Sequence, residues 1–346
     1  MSAASTSPHA AVRADWLAQH VEPILEPGLP IVDPHHHLWE RPDSRYLAHE
    51  LFDDVNSGHR VCATVYVQSR AMLRATGPAE MAPLGEVEFA NGAAAMGASG
   101  YYGNTRICDG IVAAADLSLG DAVVPVLEAM VQSAGRRMSG VRNAVVWHAD
   151  PAVKSSTAIL KPGVMSNPAF RRGAAALARF NLVLDIWAYH SQLDELYELA
   201  SALPDVTVVI DHFGGPIGVG PYAGKRGPML AEWARAMQRL AGLPNTRVKL
   251  GGIGMPVIGF GFHEREKPPS SADLAEAMKL YVESCIEWFG VQRCMFESNF
   301  PVDKGMFSYH VLWNAFKRLT QGASTGEKAA LFSDTAIETY RLQPIQ

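Results

Sequence analysis

The stretch IVDPHHHLWE, residues 31–40, sets three consecutive histidines behind an apolar pair and an aspartate. A purification tag would sit at a terminus and run longer; this run is internal, with apolar residues on both sides. Read as a β-strand it acquires a geometry. Side chains alternate, so Asp33, His35 and His37 share one face and His36 takes the other. Two imidazoles two residues apart at a strand end converge on one point. Such a point suits a metal ion or a reacting substrate, because neutral imidazole ligates metals and titrates near neutrality. A buried cluster with every ring hydrogen-bonded is the bland alternative. It is the better account of a lone histidine and the worse one of His-x-His closing an apolar strand.

Seven further runs look like the first: RVCATVYVQ (60–68), ICDGIVAAAD (107–116), MSGVRNAVVW (138–147), LVLDIWAYH (182–190), VTVVIDHFG (206–214), TRVKLGGIG (246–254) and RCMFESNF (293–300). Each is short and mostly apolar on both faces, the pattern of parallel strands covered on both sides. Helix-like stretches separate most of them, at 121–135, 167–180, 191–204, 227–244 and 271–290. The third has Ser191 as its expected N-cap and closes at Pro204. Eight strands alternating with helices predict an α/β fold, a (β/α)8 TIM barrel. No Gly-x-Gly-x-x-Gly follows the first strand, which argues against a dinucleotide-binding sheet. A short helical extension (residues 1–28) precedes the barrel and C-terminal helices (307–319 and 325–342) follow it, giving one expected domain over residues 1–346. Long loops are expected over 69–104 and 148–167 and after the sixth and seventh strands, at the end where barrel enzymes keep their sites.

Composition excludes several classes. With 48% hydrophobic and 19% charged residues the chain has material for a large core and too little charge for disorder. A net charge of −5 without a basic cluster argues against nucleic acid. The four cysteines form no Cys-x-x-Cys pair, and Cys62, Cys108 and Cys294 lie in or beside apolar runs, so they read as reduced residues of a cytoplasmic protein. No signal peptide or membrane span is expected. The expected partner is a small-molecule substrate; homo-oligomer formation is left open.

In a barrel, polar residues at the C-terminal strand ends are the site candidates. In order they are His35 and His37, Gln68, Asp116, Arg142, Asp185 with His190, His212, Lys249, then Glu297, Asn299 and Asp303. Unpaired charges cannot stay in a barrel interior, so these must pair with each other, a metal, water or a ligand.

As a set they resemble the amidohydrolase superfamily, in its branch of sugar-acid lactonases, 2-pyrone-4,6-dicarboxylate lactonase and related decarboxylases. The resemblance rests on DPHHHLW at strand one, SGVRN with Arg142 at strand four, VVIDHFGGP with His212 at strand six, VKLGG with Lys249 at strand seven and MFESNFPVD at strand eight, and it spans nearly the whole chain. Two departures matter. Strand four lacks the lysine that bridges two metals in binuclear members, so the resemblance implies one divalent ion at most, zinc by its imidazole ligands, with metal-free activity also allowed. Asn299 stands where the family has its catalytic aspartate. An amide cannot accept a proton as a carboxylate does, and Asp303 is preferred over Glu297 as its replacement.

The resemblance implies hydrolysis of a small anionic substrate, a lactone first. His35, His37 and His212 would polarise the carbonyl or hold the metal, with Asp303 as base. Arg142 and Lys249 would bind a substrate carboxylate, and Gln68, Asn299 and Trp39 would line the site. Non-oxidative decarboxylation of an aromatic or unsaturated acid is the runner-up. A degenerate barrel that binds without turnover is the reading from another class, kept open by Asn299.

Overall fold

The computed structural model describes residues 7–156 and 161–345. Part of the loop expected over 148–167 therefore lies outside the described residues, as do the first six residues of the extension. Among the described residues eight parallel strands form one sheet in sequence order: β1 (Pro30–His36), β2 (Arg60–Val67), β3 (Arg106–Ala113), β4 (Met138–Ala144), β5 (Val183–Trp187), β6 (Val208–Ile210), β7 (Thr246–Leu250) and β8 (Cys294–Phe296). The sheet curls until its ends meet. His36 bridges to Phe300, His37 N–H donates to the Phe300 carbonyl at 2.7 Å, and Asn299 N–H donates to the His35 carbonyl at 2.9 Å. The barrel is thus joined by the histidine run on one side and the ESNF run on the other.

All eight expected strands are present, and each is followed by a helix. The five expected inter-strand helices appear as Val124–Ala134, Pro168–Ala176, Leu193–Ser201, Arg226–Ala241 and Ser271–Phe289. Local chemistry fixes several ends. Ser270 and Asp273 cap the last of these reciprocally, Ser270 Oγ accepting Asp273 N–H at 3.1 Å and Asp273 Oδ2 accepting Ser270 N–H at 2.9 Å. Ser191 does not act as an N-cap; it lies inside a 3-10 turn, His190–Gln192, that precedes the helix. Two helices have no counterpart in the sequence reading. Leu84–Ala98 occupies much of the expected loop 69–104, and Ala48–Val55 follows β1. The first is rich in alanine and glycine, so its covered face carries little apolar bulk to show as periodicity.

Strand alternation divides the side chains. Outward residues such as Val208, Ile210, Val248, Leu250 and Phe296 join the helices in the main core. Inward residues stack in levels. At the N-terminal end Val32, Ala63, Val65, Val67, Val112, Val183, Val209 and Met295 form an apolar plug, closed by Ala336, Tyr340 and Leu342 of the C-terminal segment. Above it lies a charged level. Above that, loops after the strands contribute Trp39, Val146, Val153, Trp187, Tyr189, Ile217 and Met255 to a second apolar cluster. Charge is therefore enclosed between two dry layers. The four cysteines are free, three of them buried.

Tyr340 ties the plug to the charged level, since its hydroxyl donates to Asp185 Oδ2 at 2.8 Å. Replacing Tyr340 by Ala removes the ring and leaves Asp185 short of a donor. The expected loss is about 3–5 kcal/mol of unfolding free energy, the usual range for truncating a buried aromatic residue, measured as a lowered midpoint in urea.

Candidate active site

The polar strand ends form the charged level. β5 supplies Asp185, in register with Arg142 of β4. Asp211 and His212 follow β6, Lys249 lies on β7 and Glu297 follows β8. Asp185, Asp211, Lys249, Glu297 and His35 are all fully buried, and His37 and His212 are exposed by only 4% and 2%. The Lys249 ammonium stands among acceptors, 2.6 Å from Asp185 Oδ2, 3.3 Å from Asp211 Oδ1 and 3.2 Å from His35 Nδ1. Burial works against its charge, but Asp185, Asp211 and Glu297 outweigh it and raise its pKa. Lys249 is thus enclosed by protein partners. Arg142 donates from Nε to Asp211 Oδ2 at 3.2 Å, and its terminal nitrogens make no hydrogen bond among the described residues.

Glu297 links two imidazoles. Its Oε1 lies 2.6 Å from His212 Nδ1 and its Oε2 lies 2.9 Å from His35 Nδ1. Burial alone would raise its pKa; the two rings reverse this and bring it down to about 2. Asp211 is likewise held well below the usual carboxylate range by Lys249, His35 and Arg142 in spite of burial. His37 donates from Nδ1 to the Val67 carbonyl at 2.8 Å, and its Nε2 is 3.2 Å from Nε2 of His35. Nδ1 of His37 and Nδ1 of His212 each have an acceptor beside them, which orients those rings and leaves their Nε2 as the ligating atom, whereas Nδ1 of His35 lies between the Lys249 ammonium and Glu297 Oε2. His36 turns the other way, to Thr64 Oγ1 at 2.8 Å, as alternation requires. Asp33 departs from alternation. A register shift between Asp33 and His36 turns its carboxylate to Ser298 N–H (3.0 Å) and the Tyr309 hydroxyl (3.1 Å), away from the histidines.

The remaining expected residues divide. Asn299 adopts a left-handed backbone (φ 55°) and donates from Nδ2 to Asp303 Oδ1 at 2.8 Å, while Gly254 N–H donates to Asp303 Oδ2 at 2.9 Å. Burial pushes the Asp303 carboxyl well above the usual range, against those two donors. The segment after β7 passes both His212 and Asp303. A Cβ at Gly252 would lie 2.6 Å from the His212 ring, and one at Gly254, two residues on, 2.7 Å from the Asp303 carboxyl carbon. Trp39 stacks on His37 with ring centroids 5.8 Å apart, and Gln68 presents a buried Oε1 with no partner. Asp116 stays exposed, capping its own turn through Ser118 N–H. His190 accepts from Ile217 N–H at 3.2 Å.

Asp211 is the site residue absent from the sequence reading. By alternation it should face opposite to His212. The left-handed conformation of His212 (φ 54°) and Phe213 (φ 55°) breaks that rule and lets consecutive side chains reach the interior. Trp187, edge-on to His212 at 4.8 Å, was not singled out either.

His35, Asp211 and His212 form a group able to hold a metal ion, with ligand atoms all within 4.8 Å of one another; His37 falls outside it, although it was expected beside His35 and His212. The Nδ1 side of His35 already faces the Lys249 ammonium and Asp211. The Nε2 side faces His37 instead. Two nitrogens bound to one tetrahedral ion at 2.0–2.1 Å would stand about 3.3 Å apart, close to the 3.2 Å between these two Nε2 atoms. Charge points the same way. Asp185, Asp211 and Glu297 face Lys249 and Arg142, leaving the level one negative charge in excess, which is compatible with a bound cation.

A family model described as amidohydrolase matches residues 32–342. The chain belongs to the amidohydrolase family. It is an amidohydrolase-type hydrolase on a barrel scaffold. The protein y4mH of Sinorhizobium fredii is 32% identical over 327 residues, covering 90% of this chain and 98% of its own. An L-fucono-1,5-lactonase of Burkholderia multivorans is 24% identical over 318 residues, covering 90% and 96%. Among solved structures, an amidohydrolase from Burkholderia multivorans with bound zinc superposes with a TM-score of 0.70 at 22% identity, covering 90% of this chain and 99% of that one. That likeness shows a shared fold. No helix among the described residues is long and apolar enough to cross a membrane.

Glu297 is the joint of this geometry. Glu297→Gln removes the charge between His35 and His212 and puts an amide against two ring N–H groups. Breaking one side of a buried charged pair costs about 3–5 kcal/mol, so the variant is expected to unfold at markedly lower urea concentration than the wild type, measured at neutral pH.

Proposed function

We propose that the chain hydrolyses a lactone ring of a small acid, with His35, His37 and His212 at the carbonyl, Asp303 as the base and Arg142 on the negative charge. The observation that carries this reading is the division of the buried carboxylates. Asp211 and Glu297 are held ionised by cations and rings, whereas burial raises Asp303; burial also raises Asp185 and Asp33 to about 6, but those two are engaged by Lys249 and Tyr340 and by Ser298 and Tyr309. A carboxylate whose pKa is raised takes up a proton more readily than one held ionised, so Asp303 suits the task that Asn299 cannot perform. Asn299 then acts by orientation, its amide fixing one carboxylate oxygen.

The proposed sequence is short. Asp303 takes a proton from water as the water oxygen attacks the lactone carbonyl. Charge gathers on the carbonyl oxygen beside the histidine rings. The ring C–O bond breaks, the Asp303 proton passes to the departing oxygen, and a hydroxy acid results. A divalent ion at Nε2 of His35 and His37, zinc by its imidazole donors, would polarise the carbonyl and stabilise that oxygen. Arg142 offers its terminal nitrogens to a carboxylate, whether borne by the substrate or formed in the product. Lys249 holds Asp185 and Asp211, so we assign it to orienting the site rather than to contacting substrate. The lactonase among the relatives supports this class of reaction.

The deciding experiment is turnover of three lactones by protein purified without a histidine tag: L-fucono-1,5-lactone, D-glucaro-1,4-lactone and δ-valerolactone. No release of acid from any of them would overturn the reading. Arg142→Met should weaken kcat/KM for the carboxylate-bearing glucarolactone by on the order of 2–5 kcal/mol, with a much smaller loss for the neutral fuconolactone. Equal losses would mean that Arg142 serves only Asp211. Elemental analysis of the same protein should find no more than one equivalent of divalent metal per chain, and two equivalents would contradict the single-ion site.

A further inference from the structure

Residues 7–17 precede the segment matched by the family model and lie across the mouth of the barrel. Arg13 donates to the His263 carbonyl at 2.5 Å, and Trp16 Nε1 reaches the carbonyls of Arg265 (3.2 Å) and Glu266 (3.1 Å), all in the loop after β7. Ala10 lies on the loop after β8, so closely that a Cβ at Gly305 would stand 2.3 Å from the Ala10 carbonyl oxygen. His9 stacks on Trp39, past the end of β1, with centroids 6.3 Å apart and planes 17° apart. The segment therefore bridges three adjacent loops. Beneath it Trp39 stacks on His37, whose Nε2 faces His35.

Two polar atoms in this region are enclosed without a hydrogen-bond partner among the described residues, Nδ1 of His9 and Oε1 of Gln68. Arg41 connects the segment's partner Trp39 to the backbone beside Gln68. Arg41 lies over the Trp39 ring at 4.1 Å and donates to the carbonyl of Ser69, the residue after Gln68. An enclosed polar atom without a partner is costly, and it is a common feature of a site whose partner is a ligand. A carboxylate only accepts hydrogen bonds and cannot serve the Gln68 oxygen. A hydroxyl both donates and accepts, so it serves Gln68 Oε1 and either tautomer of His9.

We propose that this N-terminal strap is part of the substrate site, closing over the bound lactone and presenting His9 to a ring hydroxyl. The proposal rests on the hydrolytic reading above and adds to it a residue from outside the matched family segment. His35, His37 and His212 are buried with the strap lying down, and substrate would enter when it lifts.

Steady-state kinetics on whichever hydroxylated lactone the wild type turns over tests the contact. His9→Ala should raise KM about tenfold, equivalent to one hydrogen bond of about 1.4 kcal/mol, with kcat changed less than about twofold. His9→Gln should restore KM to within about threefold, because an amide also serves a hydroxyl. An unchanged KM in His9→Ala, or equal losses in both variants, would overturn the contact. A second measurement does not depend on turnover. Labelling of His37 by diethyl pyrocarbonate, followed by peptide mapping, should be slow in the wild type and at least about tenfold faster in Gly305→Ala, whose new methyl group displaces Ala10. Equal labelling rates in wild-type and folded Gly305→Ala protein would overturn the strap as the seal. If no lactone is turned over, the hydrolytic reading fails by itself and the labelling rates still decide the strap.

Discussion

A fully buried ammonium, Lys249, stands at the centre of the barrel, and the rest of the interior is arranged around that constraint. Charge this deep is tolerable only if its partners are near and themselves satisfied. Asp185 and Asp211 come from the two preceding strands, and each has a further donor: Tyr340 for Asp185 and Arg142 for Asp211. The C-terminal segment is thereby drawn under the barrel and β4 is drawn into the network. The same ammonium lies on the Nδ1 side of His35. It thus lies between the fold and the chemistry, holding the acids in place while leaving the Nε2 side of His35 facing His37.

The two apolar levels give that network its strength. Below it the valine plug excludes water from the strand starts; above it Trp39, Trp187, Tyr189 and Met255 cover the strand ends. Electrostatic interactions between dry layers are far stronger than at a surface. This is why Glu297 can be brought down to about 2 while Asp303, with only neutral donors, is pushed up. Both belong to the run that follows β8. Their opposite basicity comes from what touches them: two imidazoles for Glu297, a backbone N–H and an amide for Asp303.

Much of this was legible in the residues. Eight apolar runs with polar ends led to the barrel, because a parallel strand buried on both faces leaves a plain signature. His35, His37 and His212 stood out because histidine is costly in such a run without a task. What was not legible depended on broken alternation. Asp33 was assigned to the histidine face and turned away at a bulge, and His212 reaches the interior beside Asp211 only because left-handed residues redirect the chain. Pairing was the other obscure element. A sequence shows that Lys249 and Arg142 carry charge, but only distances show that the ammonium of Lys249 is enclosed by acids while the terminal nitrogens of Arg142 have no partner among the described residues. The helix at 84–98 was missed for a simpler reason, since alanine and glycine cover a sheet without marking a stripe.

Asparagine at position 299, where the resemblance leads one to expect aspartate, then has a physical consequence beyond lost basicity. Two carboxylates within hydrogen-bonding distance would repel, and one would have to bind a proton. With an amide at 299 the pair becomes donor and acceptor, and Nδ2 of Asn299 points its hydrogen at Asp303. The left-handed backbone at 299, where asparagine is among the most readily tolerated residues, also lets its N–H close the barrel onto the His35 carbonyl. One residue therefore joins the sheet and holds a carboxylate. Placing an aspartate there would keep the first role and oppose the second, because the acid at 303 would then face another acid.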